Sequence, residues 1–284
     1  MTWDGPPRPP SGAFAPLDWL RVLRRGVPLA LLLIGGLLAT LILRPIERAL
    51  YGLHRPVTPR VTRRVCRMAL AILGLGREVR GPVMEGVGVA VANHVSWLDI
   101  FALNASKRIY FVSKAEVSDW PFIGWLARAT GTVFIRRDPR EAQAQRAMFE
   151  ARLRAGHRLM FFPEGTSTDG GRVLPFKTTL FAALFSPGLP AMQVQPVTLV
   201  YRPPEGAPET FYGWWGDQSF GPHLLQVLAC PRQGRVQVTY HAPLAVADHS
   251  DRKLLARAAE AAVRNGLDRA ERPVSGAEER RQLG

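Results

Sequence analysis

The chain has 284 residues, of which 47% are apolar, and its 37 Lys and Arg against 23 Asp and Glu give a formal charge of +14. This composition can fill a hydrophobic core, so it excludes a chain that is disordered throughout, and the length suits one fairly large domain with appendages. The excess of positive charge predicts an anionic partner, either nucleic acid or the surface of a phospholipid bilayer. Cys66 and Cys230 are far apart and lack metal-ligand spacing, which predicts buried free thiols in a reducing cytoplasm and neither a disulfide framework nor a structural zinc site.

Residues 17–76 are predicted to attach the protein to a membrane, after an irregular Pro- and Gly-rich tail at residues 1–16. The run Val27–Leu43 contains no charged residue, and as a helix it would be about 26 Å long, near the lower limit for crossing a bilayer. A buried core helix is the alternative interpretation. Basic residues are slightly denser after this run than before it, which places the rest of the chain on the cytoplasmic side.

A second helix is predicted over Thr58–Gly74. Five apolar side chains recur there at helical spacing: Val61, Val65, Met68, Ala69 and Ile72. Four arginines fill the remaining positions: Arg60, Arg63, Arg64 and Arg67. This pattern is typical of a basic amphipathic helix that lies on anionic lipid headgroups.

Residues 77–284 are predicted to form one α/β domain with a mostly parallel central sheet flanked by helices. Six short apolar segments are the predicted strands: Val87–Ala92, Ile109–Val112, Thr132–Ile135, His157–Phe162, Val194–Tyr201 and Arg235–Tyr240. Helices are predicted over Pro139–Ala155 and Asp251–Asn265. Short apolar strands separated by helices indicate a sheet that is buried on both faces, and such sheets bind ligands at the strand ends.

The strongest chemical signal is the segment Asn93-His94-Val95-Ser96-Trp97-Leu98-Asp99, directly after the first of these strands. On one continuous helix His94 and Asp99 would lie about 140° apart, so they can meet only if His94 ends the strand and a helix starts near Ser96. Asp99 would then fix the imidazole tautomer and leave the other ring nitrogen as a general base. The alternative is structural, because Ser96-x-x-Asp99 is also a capping box that would serve only the helix N-terminus.

Several segments together resemble one known family. NHVSWLD is similar to the NHxxxxD signature of bacterial lysophospholipid and glycerolipid acyltransferases, and later blocks resemble further segments of that family in the family's order: FVSKAEV (Phe111–Val117), GTVFIRR (Gly131–Arg137), FPEGTSTDG (Phe162–Gly170) and VQPVTL (Val194–Leu199). The match covers roughly residues 85–245. The resemblance implies that residues 77–284 are an acyltransferase domain, attached to the bacterial inner membrane with its catalytic side in the cytoplasm. It also implies an acyl carrier protein or CoA thioester as co-substrate, a lysolipid acceptor, and no cofactor or metal.

The resemblance also assigns roles to four side chains. His94 would take the proton of the acceptor hydroxyl, and Asp99 would orient the imidazole. Lys114 and Arg136 would form the cationic side of the acceptor pocket. Arg136 follows a predicted strand, so its guanidinium group can bind a phosphate or carboxylate at a strand end; for both cations the alternative is a solvated partner of a neighbouring acidic residue.

The FPEGTSTDG segment is predicted to hold the acceptor. By resemblance Glu164, with the backbone of Gly165 and Thr166, would keep the acceptor close to the attacking oxygen. A carboxylate at the end of an apolar strand is unusual unless a ligand or partner uses it. Backbone N–H groups in a glycine-containing turn can stabilise an anion, although most such turns are only turns.

One departure from the family concerns the acceptor. Members that form phosphatidic acid commonly read EGTR, with the arginine on the acceptor phosphate, but Ser167 stands in that place here. A hydroxyl cannot replace the ionic contact of a guanidinium group, although Arg172 or Lys177 could compensate. The variant resembles the branch that acylates lyso-ornithine lipid, so this lipid is the predicted acceptor and lysophosphatidic acid is the second candidate.

Other functions are less consistent with the sequence. A nucleic-acid-binding protein would explain the charge, but the chain has no recognition motif of that class, so no nucleic-acid partner is predicted. A lipid hydrolase of the α/β type would carry GxSxG, which is absent, and a non-catalytic lipid-binding protein stays an alternative. An aromatic cluster within Phe211–Phe220 is predicted either to contact the membrane or acyl path or to pack on the sheet.

Overall fold

The computed structural model describes residues 3–6, 14–136, 140, 142–189 and 191–271. In chain order the elements are α1 (Pro16–Tyr51), α2 (Thr58–Leu73), β1 (Gly76–Arg80), β2 (Gly88–Ala92), α3 (Leu98–Ser106), β3 (Tyr110–Lys114), α4 (Ile123–Thr130), β4 (Val133–Ile135), α5 (Ala142–Arg154), β5 (Leu159–Phe161), β6 (Gln193–Arg202), α6 (Phe220–Ala229), β7 (Arg235–Tyr240), β8 (Leu244–Ala245) and α7 (Arg252–Glu271). Short 3-10 helices follow β3 and precede β6, at Ala115–Asp119 and Leu180–Phe185.

The strands form one mixed sheet in the order β1-β7-β6-β2-β5-β3-β4. From β6 to β4 every neighbouring pair is parallel, whereas β7 and β8 run antiparallel to β6. The predicted mostly parallel sheet is therefore confirmed, and all six predicted strands occur within two residues of their predicted bounds. The predicted helix at Pro139–Ala155 corresponds to α5, although Pro139 lies outside the described residues, and the predicted C-terminal helix extends six residues beyond Asn265.

Both faces of the sheet are buried, as the strand pattern predicts. In β2, Ala90 and Ala92 pack into the core on the side of α1, α2, α3 and α6, while Val89 and Val91 pack into the core on the other side. The second core is closed by α5 and α7, through side chains such as Phe149 and Val263. Polar groups at the carboxyl ends of the parallel strands therefore lie between two apolar layers.

Helix α1 lies lengthwise against the domain. It is 36 residues long and contains the apolar run Val27–Leu43, and by length and composition it could cross a membrane. Only 11% of its most apolar window is buried, so the alternative of a core helix is wrong. Near its N-terminus Arg25 donates to the carbonyl oxygen of Leu228 at 2.9 Å, and near its C-terminus Glu47 accepts from the backbone N–H and the hydroxyl of Thr58.

Helix α2 begins at Thr58 as predicted and ends at Leu73, followed by Gly74 in the left-handed conformation. The residues of its predicted apolar stripe differ in burial: Ala69 is fully buried against the core, whereas Met68 is 54% exposed. The helix packs between α1 and α3, so it belongs to the same packed layer as the sheet-covering helices. The proposed division of the chain near residue 76 stays a prediction.

Candidate active site

The carboxyl ends of the parallel strands position the catalytic segment. β2 ends at Ala92, and the side chain of the next residue, Asn93, is completely buried. Its amide group donates to the carbonyl oxygen of Leu199 at 2.9 Å and accepts from the Leu199 N–H at 2.8 Å. This pair of hydrogen bonds fixes the end of β2 to β6, so the following residue, His94, starts from a rigid point.

The structure brings His94 and Asp99 together. The Nδ1 atom of His94 lies 2.7 Å from Oδ2 of Asp99. Helix α3 starts at Leu98, so Asp99 is in its first turn and points back toward the strand end. The predicted geometry, a strand-end histidine followed by a new helix, is therefore confirmed. When Nδ1 carries the proton, the imidazole donates it to the carboxylate and Nε2 is left as a base.

Asp99 is fully buried and accepts four hydrogen bonds. Besides the imidazole, its Oδ2 atom accepts the backbone N–H groups of Val95 and Ser96, at 2.8 and 3.1 Å. Its Oδ1 atom accepts the hydroxyl of Tyr201, on β6, at 2.7 Å. The bond to Ser96 N–H is half of the alternative capping box, but the Ser96 hydroxyl has no hydrogen-bond partner among the described residues. Asp99 therefore supports the helix start and also holds the histidine.

Phe162 holds the flat face of the imidazole. The rings of His94 and Phe162 are nearly parallel, with centroids 4.0 Å apart, and Phe162 stacks in turn on Phe111 at 5.9 Å. With Asp99 on one ring edge and Phe162 on one face, the imidazole has little freedom to rotate. Its side chain keeps 21% of its surface exposed, so a substrate can reach it.

Glu164 joins the catalytic segment to the FPEGTSTDG loop. Its Oε1 atom accepts the backbone N–H of His94 and its Oε2 atom that of Leu174, both at 2.8 Å, and the side chain is only 2% exposed. Burial raises the pKa of Glu164 to about 8, and the charge of Asp99 adds to this, against the two backbone hydrogen bonds. Glu164 thus orders the loop around His94 without a full second negative charge at neutral pH; its direct contact with the acceptor stays a prediction.

Gly165 and Thr166 lie on the same loop. The N–H of Gly165 donates to the carbonyl oxygen of Phe162 at 3.0 Å, so this turn already uses one predicted anion donor. Gly165 has φ +71°, and a methyl group added there would lie 2.6 Å from Nζ of Lys177, so glycine leaves room for this ammonium group. The Thr166 hydroxyl accepts the backbone N–H of Trp3 at 3.4 Å. Their roles in acceptor binding stay predictions.

Lys114 and Arg136 also lie at the carboxyl ends of parallel strands, farther from β2. Lys114 is the last residue of β3 and Arg136 follows β4 directly, and both are exposed. β3 and β4 are the second and third strands from β2. At a strand spacing of about 4.8 Å, their backbones lie roughly 10 and 14 Å from the backbone of β2. The two predicted cations are therefore neighbours on adjacent strands, and their contact with the acceptor stays a prediction.

An apolar cavity of about 430 Å³ lies beside the catalytic segment. It is enclosed by α1, α2, α3, α4 and α6, and its lining includes Trp97, Phe111 and Phe220. Trp97 is two residues from Asp99, and Phe111 belongs to the ring stack that ends at His94. The cavity therefore approaches the catalytic segment at Trp97 and Phe111, and its opposite wall is formed by α1. Within Phe211–Phe220, Tyr212 and Trp215 are buried in the domain, as the packing interpretation predicts, and Phe220 lines the cavity. Contact of this cluster with a membrane or an acyl chain stays a prediction.

Sequence reasoning missed three side chains of this site. Asn93 was visible in the motif, but its amide bonds to β6 depend on strand order. Tyr201 is separated from Asp99 by 102 residues, and Phe162 reads as an ordinary apolar strand residue. Only the parallel pairing of β2 with β5 and β6 brings these residues to His94.

The comparisons with known proteins identify the family of this chain. A family model described as Acyltransferase matches residues 77–200. The chain is 59% identical over 266 residues to the lyso-ornithine lipid O-acyltransferase of Rhodobacter capsulatus, an alignment that covers 93% of this chain and 96% of that protein. The chain belongs to the acyltransferase family. This acyltransferase is an enzyme of lipid biosynthesis.

Two more distant proteins share parts of the acyltransferase. It is 43% identical over 131 residues to the 1-acyl-sn-glycerol-3-phosphate acyltransferase of Neisseria gonorrhoeae, which covers 44% of this chain and 51% of that protein. The crystal structure of the 1-acyl-sn-glycerophosphate acyltransferase PlsC of Thermotoga maritima superposes with a TM-score of 0.65 at 20% identity, covering 91% of this chain and 98% of that one. At this identity the structural likeness shows the fold alone, and it confirms the α/β architecture with its long N-terminal helix.

Proposed function

We propose that this acyltransferase moves a fatty acyl group from a thioester to the free hydroxyl of lyso-ornithine lipid, with His94 as the general base. The observation that carries the proposal is the His94–Asp99 pair, 2.7 Å apart; Trp97, from the same segment, lines the apolar cavity. The donor is an acyl carrier protein or CoA thioester, and the reaction needs no cofactor, because the acceptor hydroxyl is itself the nucleophile.

The reaction balances without a covalent enzyme intermediate. Nε2 of His94 takes the proton of the acceptor hydroxyl as its oxygen attacks the thioester carbonyl carbon, and Asp99 stabilises the resulting imidazolium. The carbon–sulfur bond then breaks, and the imidazolium returns the proton to the leaving thiolate. The products are an ester and a free thiol. In this proposal the fatty acyl chain of the donor lies in the apolar cavity, which Trp97 and Phe111 line.

Two features favour lyso-ornithine lipid as the acceptor. The relative with 59% identity carries that activity in its name. In addition, the hydroxyl of Ser167 donates to the carbonyl oxygen of Trp214, so this position ties two loops together. Of the two compensating cations, Arg172 pairs with Asp169 at 3.2 Å, whereas the Lys177 ammonium lies over Gly165. Lys177 is therefore the better candidate to bind the carboxylate of an ornithine headgroup.

The test of the acceptor is a panel assayed with purified enzyme and a labelled acyl thioester. We expect lyso-ornithine lipid to give a kcat/KM at least about tenfold above that of lysophosphatidic acid, because the arginine that grips a phosphate is absent. Product mass identifies the diacyl lipid. Equal or higher kcat/KM with lysophosphatidic acid would overturn the acceptor assignment, and release of free fatty acid alone would show a hydrolase.

We also propose that α1 lies within the cytoplasmic leaflet of the inner membrane and does not cross it. Arg25 and Glu47 both face the domain, and 22 residues of helix separate them by about 33 Å, so the domain covers one side of α1 over a full membrane thickness. Its other side exposes apolar residues along the same length, including Leu20, Leu31 and Ile42. A spanning orientation would bury the flanking domain in hydrocarbon.

Cysteine labelling at the two ends of α1 tests this orientation. Leu20→Cys and Leu50→Cys are made separately in a Cys230→Ser background, and intact cells and inverted membrane vesicles are treated with a membrane-impermeant thiol reagent. We expect both positions to react only in inverted vesicles. Labelling of one end from outside intact cells would show a spanning helix.

A further inference from the structure

A second cavity, of about 240 Å³, is lined only by arginines: Arg60, Arg63, Arg64, Arg67 and Arg108. The first four follow the spacing i, i+3, i+4 and i+7 on α2, which puts them on one face of the helix, and the fifth precedes β3. Within the described part of the chain, no acidic side chain lines this cavity. Because like charges repel at short range, such a cluster is favourable only when an anion is bound or solvent screens it.

The guanidinium groups of this arginine pocket have hydrogen-bond donors that are not used within the described part of the chain. Among the described residues none of the five forms an ion pair with a carboxylate, and Arg67 uses one donor on the carbonyl oxygen of Ala105 at 2.9 Å. The Nε of Arg63 is buried and has no hydrogen-bond partner in the described part of the chain. Burial, followed by the charges of Arg67 and Arg108, lowers the pKa of Arg63. A bound anion would relieve both the unmet donor and the repulsion.

The arginine pocket and His94 lie at opposite ends of the parallel strands. Arg108 precedes the first residue of β3 by two positions, whereas His94 follows the last residue of β2 by two. β2 and β3 both run parallel to β5. The start of β3 therefore lies at the amino ends of the parallel strands, and the end of β2 lies at their carboxyl ends. The pocket therefore cannot hold the hydroxyl that is acylated.

Apolar surface adjoins the arginine pocket. Met68 follows Arg64 by one helical turn and is 54% exposed, and Gly36 of α1 contacts Val65 of α2. Beyond this contact α1 exposes Leu38 and other apolar side chains. An anion in the pocket would thus be next to a surface that favours hydrocarbon, which matches a molecule with a charged head and apolar chains better than a soluble protein.

We propose that the arginine pocket binds the phosphate group of an anionic phospholipid of the bilayer, which is a different molecule from the lipid that is acylated. Arginine suits this ligand because its planar fork binds two phosphate oxygens at once. The lipid chains lie along the exposed side of α1. This inference does not depend on which lysolipid is the acceptor.

The experiment compares two double variants of the full-length protein that remove the same charge. Arg60→Gln with Arg64→Gln changes two exposed arginines of the pocket, and Arg252→Gln with Arg257→Gln changes two exposed arginines on α7. Binding is measured to vesicles of phosphatidylcholine alone and to vesicles that also contain phosphatidylglycerol. We expect the pocket variant to lose about tenfold or more in affinity for the anionic vesicles, and the α7 variant to lose less than about twofold.

The outcomes separate the proposal from its alternatives. Equal losses in the two variants would show general charge attraction, and wild-type binding by the pocket variant would show that the pocket has no lipid ligand; either result overturns the proposal. So does unchanged vesicle binding with a raised KM for an acyl carrier protein thioester, which would make the carrier protein the partner. Transfer by the pocket variant in detergent, at the wild-type rate, shows that it is folded.

Discussion

His94→Ala is expected to lower kcat for acyl transfer by about 10²–10⁴-fold, the usual contribution of a general base. The reason is geometric: Asp99 at 2.7 Å and the face of Phe162 at 4.0 Å hold the imidazole in one orientation, and alanine has no group that can take the proton. The measurement is steady-state transfer to lyso-ornithine lipid by purified protein, with thermal unfolding as the check on folding.

His54→Ala is the matched control, because His54 is exposed and lies just after α1, far along the chain from the catalytic segment. We expect its activity to stay within about twofold of wild type. A His94→Ala protein that unfolds at the wild-type temperature and keeps wild-type turnover would show that another residue is the base.

Asp99→Asn is expected to lower kcat on the order of 10²–10⁴-fold while the protein stays folded. The amide has nearly the same shape as the carboxylate, so its oxygen can still accept the N–H groups of Val95 and Ser96, and its NH₂ group can donate to the Tyr201 hydroxyl. What the variant lacks is the negative charge that stabilises the imidazolium. The measurement is kcat together with the free energy of unfolding.

Tyr201→Phe serves as a graded comparison for Asp99→Asn. It removes one hydrogen bond to Oδ1 of Asp99 and keeps the charge, so we expect a loss of about tenfold in kcat. If Asp99→Asn lost stability but kept wild-type kcat, Asp99 would be only a helix cap. A Tyr201→Phe loss as large as that of Asp99→Asn would contradict the view that the charge of the carboxylate matters most.

The predicted strands were recognisable because their central residues are buried and mostly apolar, as in β2 and β6. β1 was not predicted, since its sequence GREVR carries three charges, and it forms because it pairs with β7 at the edge of the sheet. The two residues of β8 are too few for any pattern. Periodicity thus identified strands that are buried by their own composition, but not those that depend on a neighbour.

The candidate site divides in the same way. His94 and Asp99 are five residues apart, so the local order of strand and helix was enough to predict their contact. The contacts of Asp99 with Tyr201 and of His94 with Glu164 join residues 102 and 70 positions apart, and they exist only because β2 lies between β5 and β6. The surplus of arginine was visible in the sequence, but its concentration around one cavity depends on how α2 packs against α3.

The polar contacts that fasten α1 to the domain at Arg25 and Glu47 have one more consequence. These contacts fix the position of α1 relative to the sheet, so the proposed placement of α1 in one leaflet would hold the imidazole at one depth below the lipid surface. We infer from that placement that a hydroxyl reaches the imidazole only when it lies at the matching depth. Two lysolipids with the same charge but different depths of their free hydroxyl would be distinguished by geometry alone.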